Sequence, residues 1–349
     1  MWINKPMTDD STRYHSNMIL ITASRPLASR KPVSRFQRLA VPQDSIPPAL
    51  QLTKRIIQNI LSPLAMHRYL STDQIIRLDG GSAAHIRHLL RLLHRHGLVE
   101  RPAGQAAYLS SFLHQGNVAL VYTITRNGMR LLAEHGHPVD PRQDWTTKNT
   151  GTGSALFLAH ALQVSEFMLD CRLAMPADRE LIDHHDLLPL LVGTSRAHKF
   201  PYRLVVNVQT DDKPHTFTVV PDRIFRINVP ARDHHWNFLL EIDRGTESLS
   251  TRSKRSTNKA TWRRKLTGYL HAYRQGKFDE TWGFPNQRIV TVTTSDARID
   301  HMLALQREIT NDTAAGLFLY TTRQRIEHHG VLGCAWRSAH GDDIALMDR

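Results

Sequence analysis

The chain has 349 residues, with 45 Lys or Arg against 32 Asp or Glu and a formal net charge of +13. No apolar run approaches the roughly 20 residues that span a bilayer, and the apolar stretch at 18–23 is too short for a secretory signal, so we expect a cytoplasmic protein without a membrane partner. Its two cysteines exclude a disulfide framework or a CxxC metal site, and its positive charge favours a polyanion such as nucleic acid.

Composition shifts along the chain predict its organisation. Residues 1–48 mix Pro, Ser and Arg without periodicity and predict a disordered basic arm. A first domain is expected over 49–138, a polar linker over 139–153, a second domain over 154–325 and a C-terminal extension over 326–349. The segment 248–278 contains nine basic residues and no acidic one, so it is the most strongly charged part of the chain.

The first domain begins with three predicted helices. The stretch "LQLTKRIIQNILSPLAMHRYL" fits one long helix bent near Pro63, and "STDQIIRLD" fits a short helix with a Ser/Thr cap. The stretch "GGSAAHIRHLLRLLHRHG" fits a third helix, capped by Ser82 and ended by Gly97. The following "LVERPAGQAAYLSSFLHQGNVALVYTITRNG" reads as two strands around a long turn. A helix-turn-helix followed by a hairpin is a winged helix.

The third helix has two chemically different faces. Helical spacing turns its apolar residues towards the core: Ile86, Leu89, Leu90 and Leu93. The other faces hold the candidate DNA-binding residues His85, Arg87, His88, Arg91 and Arg95. Because arginine hydrogen-bonds guanine edges and phosphates in the major groove, this face predicts binding to double-stranded DNA. The alternative is a solvated basic face on a protein-binding domain.

The second domain places carboxylates at strand ends. The strand "TFTVV" runs into Pro221 and Asp222, and in "NFLLEID" the alternation puts Glu241 and Asp243 on one face. If the two strands are neighbours, Asp222 and Glu241 converge. Two hard oxygen donors with waters suit Mg²⁺, or Mn²⁺ in its place.

A lysine is available on the next predicted helix, "NKATWRRKLTGYLHAY". Its inward stripe is expected to contain Trp262, Leu266, Tyr269 and Tyr273, and Lys265 shares that stripe. An inward lysine needs an acidic partner, and the strand acids are the nearest ones. The alternative is a buried salt-bridge network without catalysis. A second set of candidate DNA-binding residues surrounds these groups: Arg244, Arg252, Lys254, Arg255, Lys259, Arg263 and Arg264.

The carboxylate pattern resembles the PD-(D/E)xK nuclease superfamily through Asp222 in "VVPDRIF", Glu241 in "LLEIDRG" and Glu166 in "VSEF". The resemblance implies a metal site of Glu166, Asp222 and Glu241, with Lys265 as a migrated catalytic lysine. The chain departs from the family at Asp243, where the motif lysine would stand; we keep it among the candidate catalytic residues. The implied fold class is α+β or α/β, with an N-terminal winged helix followed by a restriction-endonuclease-type domain.

Over residues 50–325 the chain resembles the replication-relaxation family of plasmids and integrative elements, through "HALQVSEF", "VVPDRIF", "LLEIDRGTES", "RRKLTGYLHAY" and "RIVTVTT". The resemblance implies a DNA-binding accessory protein in replication, relaxation or mobilisation. One alternative is an active Mg²⁺-dependent endonuclease or nickase. Another is an adaptor that recruits a relaxase or replicase. The histidine pairs at 184–185, 234–235 and 328–329 are expected to be exposed, and the oligomeric state stays open.

Overall fold

The computed structural model describes residues 53–102, 104–110, 119–137, 155–209, 214–245, 261–310 and 314–347. The predicted arm at 1–48, the predicted linker at 139–153 and residues 248–260 of the basic segment 248–278 lie outside the described residues. The described part combines helices with a mixed sheet, so the mixed α and β character of the predicted fold class is confirmed.

Three consecutive helices open the described chain. Residues 54–67 form one helical segment (α1), made of Lys54–Ile56, the π-helical turn Ile57–Leu61 and Ser62–His67. Thr72–Asp79 (α2) begins at a capping box, in which the Ser71 hydroxyl accepts from the Gln74 amide N–H and the Gln74 side chain accepts from the Ser71 N–H. It ends at Gly80 with a φ of 68°, a backbone angle that glycine adopts without strain. Ala83–Arg95 forms α3.

Short strands and two more helices complete this N-terminal unit. Leu70–Ser71 (β1), Val121–Ile124 (β3) and Val99–Glu100 (β2) form an antiparallel sheet in the order β1-β3-β2. The predicted long turn between β2 and β3 contains the helix Gln105–Ser110 (α4), which was not predicted from the sequence. Arg126–Glu134 (α5) follows. Buried apolar residues of α1, α2, α3, β3 and α5 form one core.

The C-terminal unit is built on a seven-stranded sheet. Its strands are Glu180–Asp183 (β4), Arg223–Val229 (β7), His234–Ile242 (β8), Gln287–Thr293 (β9), Phe318–Thr322 (β10), Trp336–Arg337 (β11) and Asp343–Ile344 (β12). They lie in the order β12-β11-β10-β9-β8-β7-β4. Neighbours β8, β9 and β10 are parallel, and the other pairs are antiparallel. Leu204–Gln209 (β5) and Pro214–Val219 (β6) form a separate two-stranded sheet, so the predicted strand through 215–228 is divided near Pro221.

Helices cover both faces of the large sheet. Ala155–Ala174 (α6) and Arg323–His329 (α11) pack on one face, and Trp262–Arg274 (α8) and Asp296–Thr310 (α10) pack on the other. The short helix Lys277–Trp282 (α9) lies beside β5, and the short helix Gly193–Ala197 (α7) packs against α9. The predicted inward stripe of α8 is correct at its first three positions, but Tyr273 is 48% exposed. This end of α8 extends past the apolar layer that buries Tyr269.

Helix α6 and the start of β7 join the two units. The Ser165 hydroxyl of α6 donates to the Tyr69 carbonyl oxygen at 3.0 Å, next to the C-terminal end of α1. Both terminal nitrogens of Arg223 donate to the Met66 carbonyl at 3.1 Å, and Arg223 is also paired with buried Asp183 at 2.8 and 2.9 Å. A cation at a helix C-terminus satisfies carbonyls that lack a partner within the helix. The units are therefore fixed to each other by polar contacts as well as by apolar packing.

Candidate functional site

Asp222 and Glu241 lie side by side, as the strand pattern predicts. Asp222 directly precedes β7, and its backbone N–H donates to the Leu240 carbonyl of β8 at 3.0 Å. Its Oδ2 accepts from the Ile242 N–H at 2.8 Å. These two bonds lie on either side of position 241 and continue the β7–β8 ladder past its last paired residues. They fix the Asp222 carboxylate next to Glu241.

Glu241 is buried beneath α8 and is held by two groups from that helix. The Lys265 Nζ lies 3.0 Å from Glu241 Oε2, and the Tyr269 hydroxyl donates to Oε1. Lys265 and Tyr269 are four residues apart, so they share one helix face. Burial raises the pKa of Glu241 to about 7, while the charge of Lys265 opposes that rise. The sequence expectation that an inward lysine reaches a strand acid is met at Glu241.

His160 of α6 approaches Asp222 from the opposite side of the sheet, and sequence reasoning missed it. Its Nε2 lies 3.1 Å from Asp222 Oδ1. Burial alone would lower the pKa of His160, but the hydrogen bond and charge of Asp222 raise it above its ordinary value. Burial likewise opposes ionisation of Asp222, whereas the contact with His160 lowers its pKa. The available signal was a titratable residue in "HALQVSEF", but no spacing rule connects a helix position to a strand end.

Asp243 has a different partner from the one expected. Arg298 of α10 donates to the Asp243 carboxylate through Nε at 2.5 Å and Nη2 at 2.7 Å, and the Thr293 hydroxyl donates to the same carboxylate at 2.5 Å. The Asp243 side chain is 4% exposed. Its contacts lie with α10, whereas Lys265 reaches Glu241 from α8. The position that holds lysine in the nuclease motif is therefore part of a buried arginine–carboxylate pair.

Glu166 does not join Asp222 and Glu241, which corrects its expected place in a metal site. Its carboxylate accepts from Gln74 at 2.7 Å and contacts Arg77 and Arg323, the latter at 3.2 Å. Glu166 lies six positions after His160 on α6, so the two side chains leave the helix in different directions. Glu166 thus bridges α2, α6 and α11.

The carboxylates at this edge of the sheet offer few donors to a divalent cation. Across the described ranges no group of three His, Cys, Asp or Glu residues is arranged to hold a metal ion. Asp222 and Glu241 remain as a pair of hard oxygen donors, and Mg²⁺ is commonly held by one or two carboxylates with water completing its shell. The pair fits such an ion by donor chemistry, with His160 and Lys265 as the groups already contacting those oxygens.

The outer face of α3 is a basic surface of the N-terminal unit. Ile86, Leu89, Leu90 and Leu93 are buried, which confirms their predicted orientation. The five candidate DNA-binding residues are all exposed: His85, Arg87, His88, Arg91 and Arg95. Among described residues, none of these three arginines has a hydrogen-bond or ion-pair partner. Arg87 and Arg91 also line a cleft of about 710 Å³ with Arg101 and Tyr122, in which Asp73 is the acidic lining residue.

Arginines elsewhere are mostly engaged within the chain. The second candidate set follows that trend: Arg263 donates to both oxygens of Glu308 at 2.7 Å, Arg244 donates to the Leu156 carbonyl at 2.8 Å, and Arg264 lies 5.0 Å over the Phe217 ring. The other candidates fall outside the described residues: Arg252, Lys254, Arg255 and Lys259. The three arginines of α3 therefore differ from Arg244, Arg263 and Arg264, each of which contacts another group of the chain.

The histidine pairs are not uniformly exposed. His328 and His329 are exposed as expected, but the pairs at 184–185 and 234–235 are partly buried. His184 packs on Tyr202 with ring centroids 4.2 Å apart.

Comparison with known proteins identifies the family. The sequence matches the family described as Replication-relaxation over residues 61–287, and the chain belongs to that family. No curated protein matches the chain. Among solved structures it is similar to the SdaI restriction endonuclease at 12% identity and a TM-score of 0.16, over 72% of this chain and 83% of that one. Within the described part of the chain, no helix is long and apolar enough to cross a membrane.

Proposed function

We propose that this protein binds double-stranded DNA as an accessory factor of a plasmid or integrative element, in replication, relaxation or mobilisation. The observation that carries the proposal is the outer face of α3, where Arg87, Arg91 and Arg95 are exposed without an acidic partner among described residues. Ion pairs within a protein reduce the gain from a phosphate contact, because the existing partner must first be released. Unpaired guanidinium groups keep their full capacity to neutralise phosphates and release counterions.

The elements around α3 support a winged-helix reading. Helices α2 and α3 are joined by a turn at Gly80 and Gly81, and α3 is followed by the antiparallel strands β2 and β3. In such units the second helix of the pair enters the major groove and the hairpin lies by the neighbouring backbone. Arg101, directly after β2, lines the cleft beside α3 and is suited to a phosphate contact.

Electrophoretic mobility shifts with a labelled duplex test the proposal. We expect wild-type binding to weaken with salt, and Arg87→Ala with Arg91→Ala to weaken it about tenfold or more. Removing two phosphate contacts lowers the slope of log K against log salt by about 2. Arg130→Ala is the matched control, because Arg130 is 70% exposed on α5 and pairs with Glu134 within its own helix. A double variant that binds like wild type contradicts the assignment of α3. Absence of a salt-sensitive shift in wild type favours instead an adaptor that recruits a relaxase or replicase.

A second candidate function is Mg²⁺-dependent endonuclease or nickase activity. It is favoured by the Lys265 Nζ, 3.0 Å from Glu241 Oε2, next to Asp222. Asp222 and Glu241 would hold the ion, and such an ion supplies an activated water and charge stabilisation at a phosphodiester. Lys265 is 23% exposed and retains a route to a phosphate in solvent, unlike a fully enclosed salt-bridge partner.

Supercoiled plasmid incubated with Mg²⁺ or Mn²⁺ tests this second function. Nicked circles should accumulate with wild type and disappear with Asp222→Asn, which preserves side-chain shape but removes the charge. Asp300→Asn serves as the control because Asp300 is 57% exposed and lies on α10 away from these carboxylates. Intact plasmid with both metals, or nicking by Asp222→Asn at the wild-type rate, contradicts the second function and leaves the duplex-binding proposal untouched.

A further inference from the structure

A second cleft opens at the opposite end of the large sheet from Asp222 and Glu241. It has a volume of about 410 Å³ and lies where β8 and β9 begin and just before β10. Residues of β8, β9 and α8 line it, among them His235, Asn237, Gln287 and Tyr273. Along β8, seven residues separate its first residue from Glu241, or roughly 23 Å at the rise of an extended strand. The cleft is therefore separate from the carboxylate pair.

The floor of this cleft is fixed, and one polar group on it lacks a partner. Asn237 is buried, accepts from Arg226 Nε at 2.8 Å and donates to the Asn286 carbonyl at 2.8 Å. Gln287 is the register partner of Asn237 in the parallel β8–β9 pair, so both side chains leave the same face. The Gln287 Oε1 is buried and has no hydrogen-bond partner within the described residues. A buried acceptor without a partner is unfavourable, and rotation of the flexible Gln287 side chain towards the cleft lets this oxygen accept from a donor on a ligand.

The sides of the cleft are flat and uncharged or basic. Tyr273 is 48% exposed at the end of α8, although Tyr269 one turn earlier is fully buried. Burial lowers the pKa of His235, which disfavours the charged form of its ring. Arg288 also lines the cleft, and the lining residues include no carboxylate. An exposed aromatic ring beside an amide acceptor, without negative charge, suits a planar, nitrogen-rich group attached to a phosphate.

We propose that this cleft binds an unpaired nucleobase. The base lies against the ring of Tyr273, and an amino or ring N–H of the base donates to Gln287 Oε1. Stacking on aromatic side chains is the usual source of affinity for unpaired bases, and a single amide adds a preference for bases with a donor on that edge. The protein then holds single-stranded as well as double-stranded DNA, at two separate surfaces.

Fluorescence anisotropy with a labelled 12-nucleotide single strand tests this inference. The background variant Arg87→Ala with Arg91→Ala removes the contribution of α3. In that background we expect Tyr273→Ala and Gln287→Ala each to weaken binding of the strand, by about tenfold for Tyr273→Ala. Phe200→Ala is the matched control, because Phe200 is an exposed aromatic residue, at 54%, away from the cleft. Circular dichroism of each variant verifies folding.

The same variants in the otherwise wild-type chain separate this inference from the proposed function. Tyr273→Ala should leave duplex binding unchanged, whereas Arg87→Ala with Arg91→Ala should reduce it. If millimolar deoxynucleoside monophosphates compete with the strand, the cleft also binds a free nucleotide. If the strand binds without such competition, the strand itself is the ligand of the cleft. Wild-type strand binding by both cleft variants, or an equal loss by Phe200→Ala, overturns the inference.

Discussion

The buried pair of Asp243 and Arg298 provides the sharpest stability test of the structure. Replacing Asp243 by Asn keeps the shape of the side chain but removes the charge that Arg298 contacts through two nitrogens. The Thr293 hydroxyl and the Gly245 N–H also point at this carboxylate, at 2.5 and 3.3 Å. All four donors were arranged around an anion, so the variant leaves a largely buried guanidinium without its counter-charge.

The expected loss follows from that burial. The side chains are 4% and 16% exposed, so solvent screens the pair weakly. Removing one partner of a buried ion pair costs about 3–5 kcal/mol, and Asn retains part of the hydrogen bonding, so we expect about 3 kcal/mol. At roughly 2 °C per kcal/mol for a large domain, the melting temperature should fall by about 6 °C.

Urea or thermal denaturation followed by circular dichroism at pH 7 measures this loss. The control is Asp300→Asn, whose partner Arg337 lies at 2.8 Å but whose own side chain is 57% exposed. An exposed pair of this kind contributes under about 1 kcal/mol. If Asp243→Asn is no more destabilising than Asp300→Asn, then Asp243 and Arg298 do not form the enclosed pair described here.

Three further predictions concern the same unit. Burial raises the pKa of Glu241 to about 7 from 4.5, so the free energy of unfolding should fall by roughly 1–3 kcal/mol as pH rises between these values. Urea titrations at pH 5 and 8 should show this fall in the wild type and a smaller one in Glu241→Gln. Asp243→Lys should unfold more easily than Asp243→Asn, because it sets two cations together, and Arg298→Glu should partly restore its melting temperature. A Cβ at Gly268 would lie 2.3 Å from Val219 Cγ2, so Gly268→Ala should lose about 1–2 kcal/mol of unfolding free energy, and adding Val219→Ala should reduce that loss.

Periodicity predicted the local elements of this chain well. The apolar spacing of Ile86, Leu89, Leu90 and Leu93 defined the buried face of α3, and strand alternation placed Glu241 on an inward face near Asp222. These patterns depend on residues close in sequence, whose relative directions are fixed by the helix and strand geometry.

Contacts between distant elements were less accessible. Nothing in the spacing of the sequence places Arg298 against Asp243, or Glu166 among arginines of α2 and α11. Such pairings depend on how helices pack across the sheet, which a single sequence does not encode in any short-range pattern. The position of Lys265 is a further example. Helical spacing predicts that it points inward, but tertiary packing determines that it contacts Glu241.

Helix α6 contributes to three apolar clusters at once, and this has a practical consequence for cutting the chain. Its Leu169 belongs to the core of the N-terminal unit, Leu158 and Leu162 pack with Tyr69 and Val121, and Phe167 lies under the large sheet. A fragment ending near residue 137 would therefore leave Tyr69 and Val121 facing water. The smallest soluble fragment that contains α3 should extend to Ala174, the last residue of α6. The apolar residues of α6 that face the large sheet would then need polar replacements.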